Sequence, residues 1–221
     1  PVKSCSISLG YSVGSPLDTC LVSRHNVDIM DIKSWLAPLP GIEFDYLALM
    51  GALKDYKRPR DKVTKLLRRG EIVRVKKGIY VLGPHLRQGT AVSREILGNL
   101  LYGPSYLSLD YALSWHQLIP ERVETVTSVT THKSKSFSTP LGRFTYQHVK
   151  AQYYSPGITA RILPDGRGFL IAGPEKAIAD KVYFSRGLRS KTDMQQYLFS
   201  DLRMDRDEIT GLDTGFFREL A

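Results

Sequence analysis

Cysteine is nearly absent from the sequence, which has only Cys5 and Cys20 among its 221 residues. Because both stand before residue 30, a disulfide framework is excluded for the rest of the chain, and a reducing cytoplasm is the expected compartment. The sequence also lacks the run of roughly eighteen apolar residues that a membrane span needs. Its start lacks the basic and then apolar layout of a signal peptide. We therefore expect a cytoplasmic protein with no membrane partner.

Motifs that carry catalytic or metal chemistry are missing as well. The sequence has no Gly-rich phosphate loop, no His/Cys metal spacing and no nucleophile elbow. His116 and Asp110 fall on an apolar predicted helix, where packing and capping are commoner roles than catalysis. We expect no catalytic residue, no cofactor and no metal, and we interpret the protein as one that is not an enzyme. The alternative is a nuclease metal held by an acid pair drawn from Glu95, Asp110 and Glu124, together with a later lysine.

Positive charge, in contrast, is abundant and concentrated. The chain has 31 Lys and Arg against 22 Asp and Glu, for a formal charge of +9. Residues 54–77 contain eleven basic and three acidic residues, so this stretch alone carries +8 and the remainder is close to neutral. Such a concentration indicates a polyanionic partner, either nucleic acid or an acidic membrane surface. A solvated charged face is the alternative interpretation.

The chain divides into three parts. Residues 1–29 are rich in Ser and Gly, and we interpret them as a non-native or flexible extension before a start at Met30. A native flexible arm that touches DNA is the alternative. Residues 30–82 are predicted to form a DNA-binding domain, and residues 83–221 are predicted to form a mixed α+β domain.

The pattern after residue 42 predicts a helix, a second helix and a hairpin. Apolar residues that include Phe44 and Leu47 recur at helical spacing over residues 44–54. Further along, β-branched residues on both sides of a basic turn that contains Gly78 predict a β-hairpin over residues 72–82. With a second helix between these elements, the order is that of a winged helix-turn-helix. The expected fold class is α+β, with this unit followed by the mixed domain.

The second helix is predicted over residues 59–69. Pro59 suits its first turn, where the missing N–H is tolerated, and Gly70 suits the left-handed residue that ends a helix. Asp61 favours the positive end of the helix dipole. It either accepts from a cytosine amino group or orders Lys65 by an i,i+4 pair.

The second helix has one apolar and one basic side. Val63, Leu66 and Leu67 share the apolar side, which we expect to face the core. A turn of about 100° per residue then places Lys65 and Arg68 on the opposite side, where they can reach bases or phosphates in a major groove. The predicted DNA-binding residues are Arg58, Arg60, Asp61, Lys62, Thr64, Lys65, Arg68, Arg69, Arg74, Lys76 and Lys77.

Helix and strand patterns alternate in the second domain. Helices are predicted over residues 92–101, 108–118, 174–184 and 191–198 and near the C-terminus. Strands are predicted over residues 124–131, 143–149, 159–163 and 168–172. A Pro-Asp-Gly segment at residues 164–166 is a strong turn signal between the last two strands.

Four segments together resemble one known family. They are LLRRGEIVRVKKGIYVL at 66–82, YLSLDYAL at 106–113, TVTSVT at 125–130 and PEKAIAD at 174–180. In this order they resemble the AbiEi-type antitoxins of type IV, abortive-infection toxin–antitoxin systems, and the likeness covers about residues 30–221. It implies a transcriptional repressor that binds inverted repeats of double-stranded promoter DNA through its winged helix. It also implies a C-terminal domain that counteracts a toxin of nucleotidyltransferase type, with or without direct contact.

Two other classes of function stay open at this point. One is a stand-alone winged-helix regulator that senses a small ligand. The other is an enzyme, in which the winged helix targets a nuclease-like second domain to DNA. Charge and spacing support DNA binding independently of the resemblance, whereas the antitoxin role is implied by the resemblance alone.

Overall fold

The computed structural model describes residues 35–220, and within them it contains two β-sheets with helices packed around them. The mixed α+β class predicted from the sequence is therefore confirmed. The predicted extension over residues 1–29 and the predicted start at Met30 lie outside the described residues. None of the helices within residues 35–220 combines the length and the apolar composition needed to cross a membrane.

The first unit is a small three-stranded sheet with two helices. Its elements are β1 (Glu43–Asp45), α1 (Tyr46–Ala52), α2 (Pro59–Arg68), β2 (Ile72–Lys76) and β3 (Ile79–Leu82). The strands are antiparallel in the order β1-β3-β2. Buried side chains from both helices and the sheet, among them Phe44, Leu49, Leu66 and Ile72, form one apolar core together with Trp35, which precedes β1. Burial of this kind stabilises a fold by about 25 cal/mol for each Å² of apolar surface.

The first helix begins two residues later than its apolar spacing predicts. Phe44 instead lies in β1, where it pairs with Tyr80 of β3 and is 1% exposed. The Asp45 side chain accepts a 2.8 Å hydrogen bond from the backbone N–H of Ala48, which fixes the helix start as an N-cap. Leu47 is 77% exposed. The expectation that it belongs to the apolar face is therefore wrong.

The predicted limits of α2 agree closely with the structure. Pro59 stands in the first turn, and the helix ends at Arg68, one residue before the predicted end. Gly70 follows with φ +67°, a conformation that costs other residues about 1–2 kcal/mol. The N–H groups of Gly70 and Glu71 donate back to Leu67 and Leu66. This reverse hydrogen bonding turns the chain directly into β2.

The second unit is built on a six-stranded mixed sheet. Its elements are α3 (Arg94–Leu101), β4 (Ser105–Leu107), α4 (Leu109–Trp115), β5 (Val126–Thr130), β6 (Lys135–Thr139), β7 (Gly142–His148), α5 (Ala151–Tyr154), β8 (Ile158–Ile162), β9 (Gly168–Ala172), α6 (Pro174–Phe184), α7 (Lys191–Gln196), α8 (Arg206–Thr210) and α9 (Thr214–Leu220). The strand order is β6-β7-β5-β4-β9-β8. The β5–β7 and β4–β9 pairs are parallel, whereas the other three pairs are antiparallel.

Most elements predicted for this unit are present, with shifted ends. Strand β9 and helix α6 have the predicted limits, whereas α3 begins at Arg94 and α4 ends at Trp115. Strands β4 and β6 were not predicted. The first is only three residues long, and the second has the sequence KSFST, whose Lys and Ser content gives no apolar alternation. Both strands form because neighbouring strands complete their hydrogen bonds.

The two units share a junction. Val75, Ile79 and Val81 of the hairpin belong to the apolar core of the second unit. On the same face of the first sheet, because Glu43 stands opposite Val81 in the β1–β3 pair, Arg167 donates a 2.7 Å hydrogen bond to Glu43, and this pair is largely buried. The domain boundary predicted between residues 82 and 83 stays a prediction, but the apolar core passes across it. The hairpin therefore packs on both units.

Candidate nucleic-acid interface

The basic face of α2 is the centre of the candidate site. Val63 and Leu66 are buried, Leu67 is half-buried, and all three point into the first unit. Lys65 and Arg68 are exposed on the other side, as the helical spacing predicts. The structure thus separates the apolar and cationic sides of this helix. A cationic face that is free of core contacts can approach the phosphates and base edges of a duplex.

A shallow depression of about 600 Å³ extends along this face. It is lined by Tyr56, Lys57, Arg58, Asp61, Lys62, Thr64, Lys65 and Arg68. Tyr56 and Lys57 were missing from the predicted site, although they directly precede the N-cap residue Arg58. The signal that could have found Lys57 is its place in the same basic run. Tyr56 is brought in by its ring, which lies 4.8 Å from the Lys62 ammonium.

Two polar residues of the predicted set, Asp61 and Thr64, contact groups near their own helix. Asp61 lies 4.0 Å from Arg58, three residues before it, so the predicted i,i+4 pair with Lys65 is replaced by an i,i+3 pair. Both members are largely exposed, and such a pair contributes at most about 1 kcal/mol. The Thr64 hydroxyl donates a 3.2 Å hydrogen bond to the carbonyl oxygen of Arg60. Lys65 is therefore not ordered by Asp61, and its ammonium points into solvent.

Arg74 and Lys77 of the hairpin are both exposed as well, outside the depression along α2. The Arg74 guanidinium lies 5.9 Å from the ring of Tyr80 on the neighbouring strand. Arg60 is also exposed, and Arg69 lies 3.6 Å from the buried carboxylate of Glu71. The structure therefore brings six members of the predicted set together in the depression along α2, whereas four further members are exposed outside it: Arg60, Arg69, Arg74 and Lys77.

Lys76 is the member of the predicted set that the structure assigns elsewhere. Its ammonium donates a 2.8 Å hydrogen bond to the carbonyl oxygen of Leu101 and lies 4.0 Å from the centre of the Phe137 ring. Burial, and second the charge of Lys135, lower the pKa of this ammonium. These contacts arise because the end of β2 packs on α3 and β6. We assign Lys76 to the junction of the units rather than to the open cationic face.

The acids considered for a nuclease metal are each engaged with other groups. The Tyr111 hydroxyl donates to Glu95, the Lys181 ammonium lies 2.6 Å from Asp110, and Glu124 pairs with arginine side chains. Over residues 35–220, no three His, Cys, Asp or Glu side chains come together in a group that could hold a metal ion.

A buried polar cluster joins two of the segments that carry the family resemblance. Lys176 and Asp180, from PEKAIAD, form a fully buried ion pair with 3.1 Å between Nζ and Oδ1. Tyr106 and Ser108, from YLSLDYAL, donate to the other carboxylate oxygen at 3.0 and 2.6 Å. Burial raises the pKa of Asp180 and lowers that of Lys176, while the attraction between them opposes both shifts. The cluster is closed to solvent, so its role is to hold β4 against α6.

No protein-family model matches the sequence, and no curated protein is significantly similar to it.

Proposed function

We propose that the protein is a DNA-binding transcriptional repressor that acts as the antitoxin of a type IV toxin–antitoxin system. In this proposal the first unit is a winged helix-turn-helix, in which α2 is the recognition helix and the β2–β3 hairpin is the wing. The partner is double-stranded promoter DNA with inverted repeats. The proposal further implies a cytoplasmic protein that has no enzymatic activity of its own.

One observation carries the DNA-binding part of this proposal. Helix α2 buries Val63 and Leu66 and exposes Lys65 and Arg68, so its cationic side is free for a duplex. The elements on either side of α2 have the order expected of a winged helix, with a helix before it and an antiparallel hairpin after it. Like charges packed this closely repel one another, and a phosphate surface relieves the repulsion.

The antitoxin part is supported by the resemblance to AbiEi-type antitoxins in the four segments of the sequence. The PEKAIAD and YLSLDYAL segments meet in the buried Lys176–Asp180 cluster, so their residues serve the packing of the second unit. The proposed activity of that unit is to counteract a nucleotidyltransferase-type toxin. A stand-alone regulator would share the DNA surface but would lack a toxin gene beside its own.

A salt titration tests the DNA-binding part. If about five phosphates are neutralised, the logarithm of the association constant falls with the logarithm of the salt concentration at a slope near −4 to −5. Fluorescence anisotropy of a labelled duplex that contains the promoter measures this slope. A slope near zero contradicts binding through the cationic face.

Alanine variants then locate the contact. We expect Lys65→Ala and Arg68→Ala each to weaken binding to the promoter by about 1–3 kcal/mol for a lost base contact, while the fold is unchanged. Both side chains point away from the core, so circular dichroism and the unfolding midpoint should stay as in the wild type. The matched control is Arg186→Ala combined with Arg189→Ala, which removes two exposed charges from the second unit. Equal losses in the control and the test variants would contradict the assignment.

The two roles can be separated in cells with full-length variants. A promoter reporter measures repression, and growth during co-expression with the neighbouring toxin gene measures protection. We expect Lys65→Ala/Arg68→Ala to lose repression and to keep protection at equal protein level. Loss of both roles would show that neutralisation depends on DNA binding.

A further inference from the structure

A second stretch of the sequence outside residues 54–77 has an excess of positive charge. Residues 125–164 contain no Asp or Glu, so their formal charge is +5 without the histidines. The five basic residues are Lys133, Lys135, Arg143, Lys150 and Arg161. Lys135 is the first residue of β6, which is the edge strand of the six-stranded sheet, and Lys133 lies two residues before it.

This edge adjoins the hairpin of the first unit. The Lys76 and Lys135 ammonium groups lie 4.0 Å and 5.3 Å from the centre of the same ring, that of Phe137. The two cations thus lie against the same ring, and Lys77, the residue after Lys76, is exposed. The hairpin of the first unit and the start of β6 therefore meet at Phe137, and each brings a lysine to this ring.

The edge offers groups that suit phosphate oxygens. Lys133, Lys135 and Ser136 are all exposed, whereas the hydroxyl of Ser134 between the two lysines donates to Gln147 and accepts from the His148 N–H. A concavity of about 610 Å³ adjoins Lys133 and Ser134. Most hydrogen bonds between proteins and DNA go to phosphate and sugar from side chains of these types.

We infer that the DNA interface extends from the hairpin onto the β6 edge, where Lys133 and Lys135 contact the phosphate backbone of the duplex that flanks the sequence read by α2. This inference rests on the proposed function, since it lengthens the same interface. Duplex DNA is the partner that fits, because the charge extends over both units as a phosphate backbone does. Protein interfaces instead have an aromatic and apolar centre, whereas this edge exposes lysines and hydroxyl groups.

The test compares salt slopes for binding to duplex DNA. The Lys133→Gln/Lys135→Gln variant removes two charges but no apolar packing, and each lost phosphate contact reduces the slope by about 0.9. We therefore expect a slope that is shallower by about 1.8. The affinity advantage of the wild type then shrinks by about tenfold as salt rises from about 50 to about 200 mM. Arg161→Gln/Arg189→Gln is the control with equal charge, because Arg161 lies on β8 at the opposite edge.

Lysine footprinting gives a second readout that long-range charge effects do not produce. Reductive methylation followed by mass spectrometry should show Lys133 and Lys135 protected when duplex DNA is bound, whereas exposed Lys191 on α7 stays reactive. Polyglutamate serves as a competitor of a different chemical class. Equal protection by polyglutamate would overturn the assignment to DNA and would indicate an acidic protein partner.

The outcomes separate this inference from the proposed function. An unchanged slope and unprotected lysines, in a protein whose binding still depends on Lys65 and Arg68, overturn the inference alone. If that variant also self-associates in size-exclusion chromatography, the lysines only protect a sheet edge from pairing. If the wild type binds no duplex, the proposed function and this inference fail together.

Discussion

Replacing Arg167 with alanine is expected to weaken the attachment of the two units to each other. The Arg167 guanidinium donates to Glu43 of β1 at 2.7 Å, to Asp165 of its own turn and to the carbonyl oxygen of Ala91. It thus holds the first sheet, the linking segment and the turn before β9 together. Its removal leaves the Glu43 carboxylate, whose side chain is 1% exposed, without a cation.

The size of the effect follows from the burial of the pair. Breaking a buried ion pair by removing one partner costs about 3–5 kcal/mol, because the remaining charge stays buried. The Arg167 side chain is 14% exposed, and Glu43 keeps a 2.6 Å hydrogen bond from the Ser93 N–H. Because partial exposure and this remaining hydrogen bond both reduce the cost of the unpaired carboxylate, we expect a value at the lower end of that range. The free energy of unfolding should fall by about 3 kcal/mol.

The two tryptophans allow the units to be followed separately. Trp35 is 1% exposed in the core of the first unit, and Trp115 packs edge-on against Phe169 in the second. Urea unfolding of a Trp115→Phe background reports on Trp35, and circular dichroism reports on the whole chain. We expect one shared transition with Arg167 present and two separate transitions in Arg167→Ala.

An exposed arginine of the second unit, Arg161, provides the control for this experiment. Arg161→Ala removes an exposed arginine and should change stability by less than about 0.5 kcal/mol. In a double-mutant cycle, Glu43→Gln should relieve most of the loss caused by Arg167→Ala, because no unpaired charge then remains. The reasoning is refuted if Arg167→Ala lowers the free energy of unfolding by less than about 1 kcal/mol and both probes still follow one transition. The Arg167–Glu43 pair would then contribute no more than an exposed ion pair does.

Two further predictions concern the cores. Lys176→Met leaves Asp180 buried without its cation, and we expect a loss of about 3–5 kcal/mol near pH 8. Burial already raises the pKa of the Asp180 carboxyl group, and its protonation removes the buried charge. The loss in free energy of unfolding, measured with urea, should therefore shrink as the pH falls toward about 5. A loss that grows on acidification contradicts this prediction. Exposed Leu47→Ala should change the free energy of unfolding by less than about 0.5 kcal/mol. Leu49 is fully buried, so Leu49→Ala should lower it by about 2–5 kcal/mol. Equal shifts of the unfolding temperature in the two variants would contradict this prediction.

The candidate site could be predicted well where the signal was local. Lys65 and Arg68 stand opposite Val63 and Leu66 because the helical repeat alone fixes which side chains share a face. The alternation of basic and β-branched residues likewise indicated the hairpin. Lys76 could not be assigned in this way, because its partners Leu101 and Phe137 are distant in sequence.

The sequence by itself determined the elements whose causes lie within a few residues. Pro59 and Gly70 set the two ends of α2 through a missing N–H and a left-handed backbone, and the density of Lys and Arg marked the cationic surface. Only the tertiary structure decided which segments meet. Phe44 became part of a strand because β3 supplies its hydrogen-bonding partner, and Glu43 found Arg167 across 124 positions of the chain. Such contacts depend on the packing of whole elements, which no local pattern encodes.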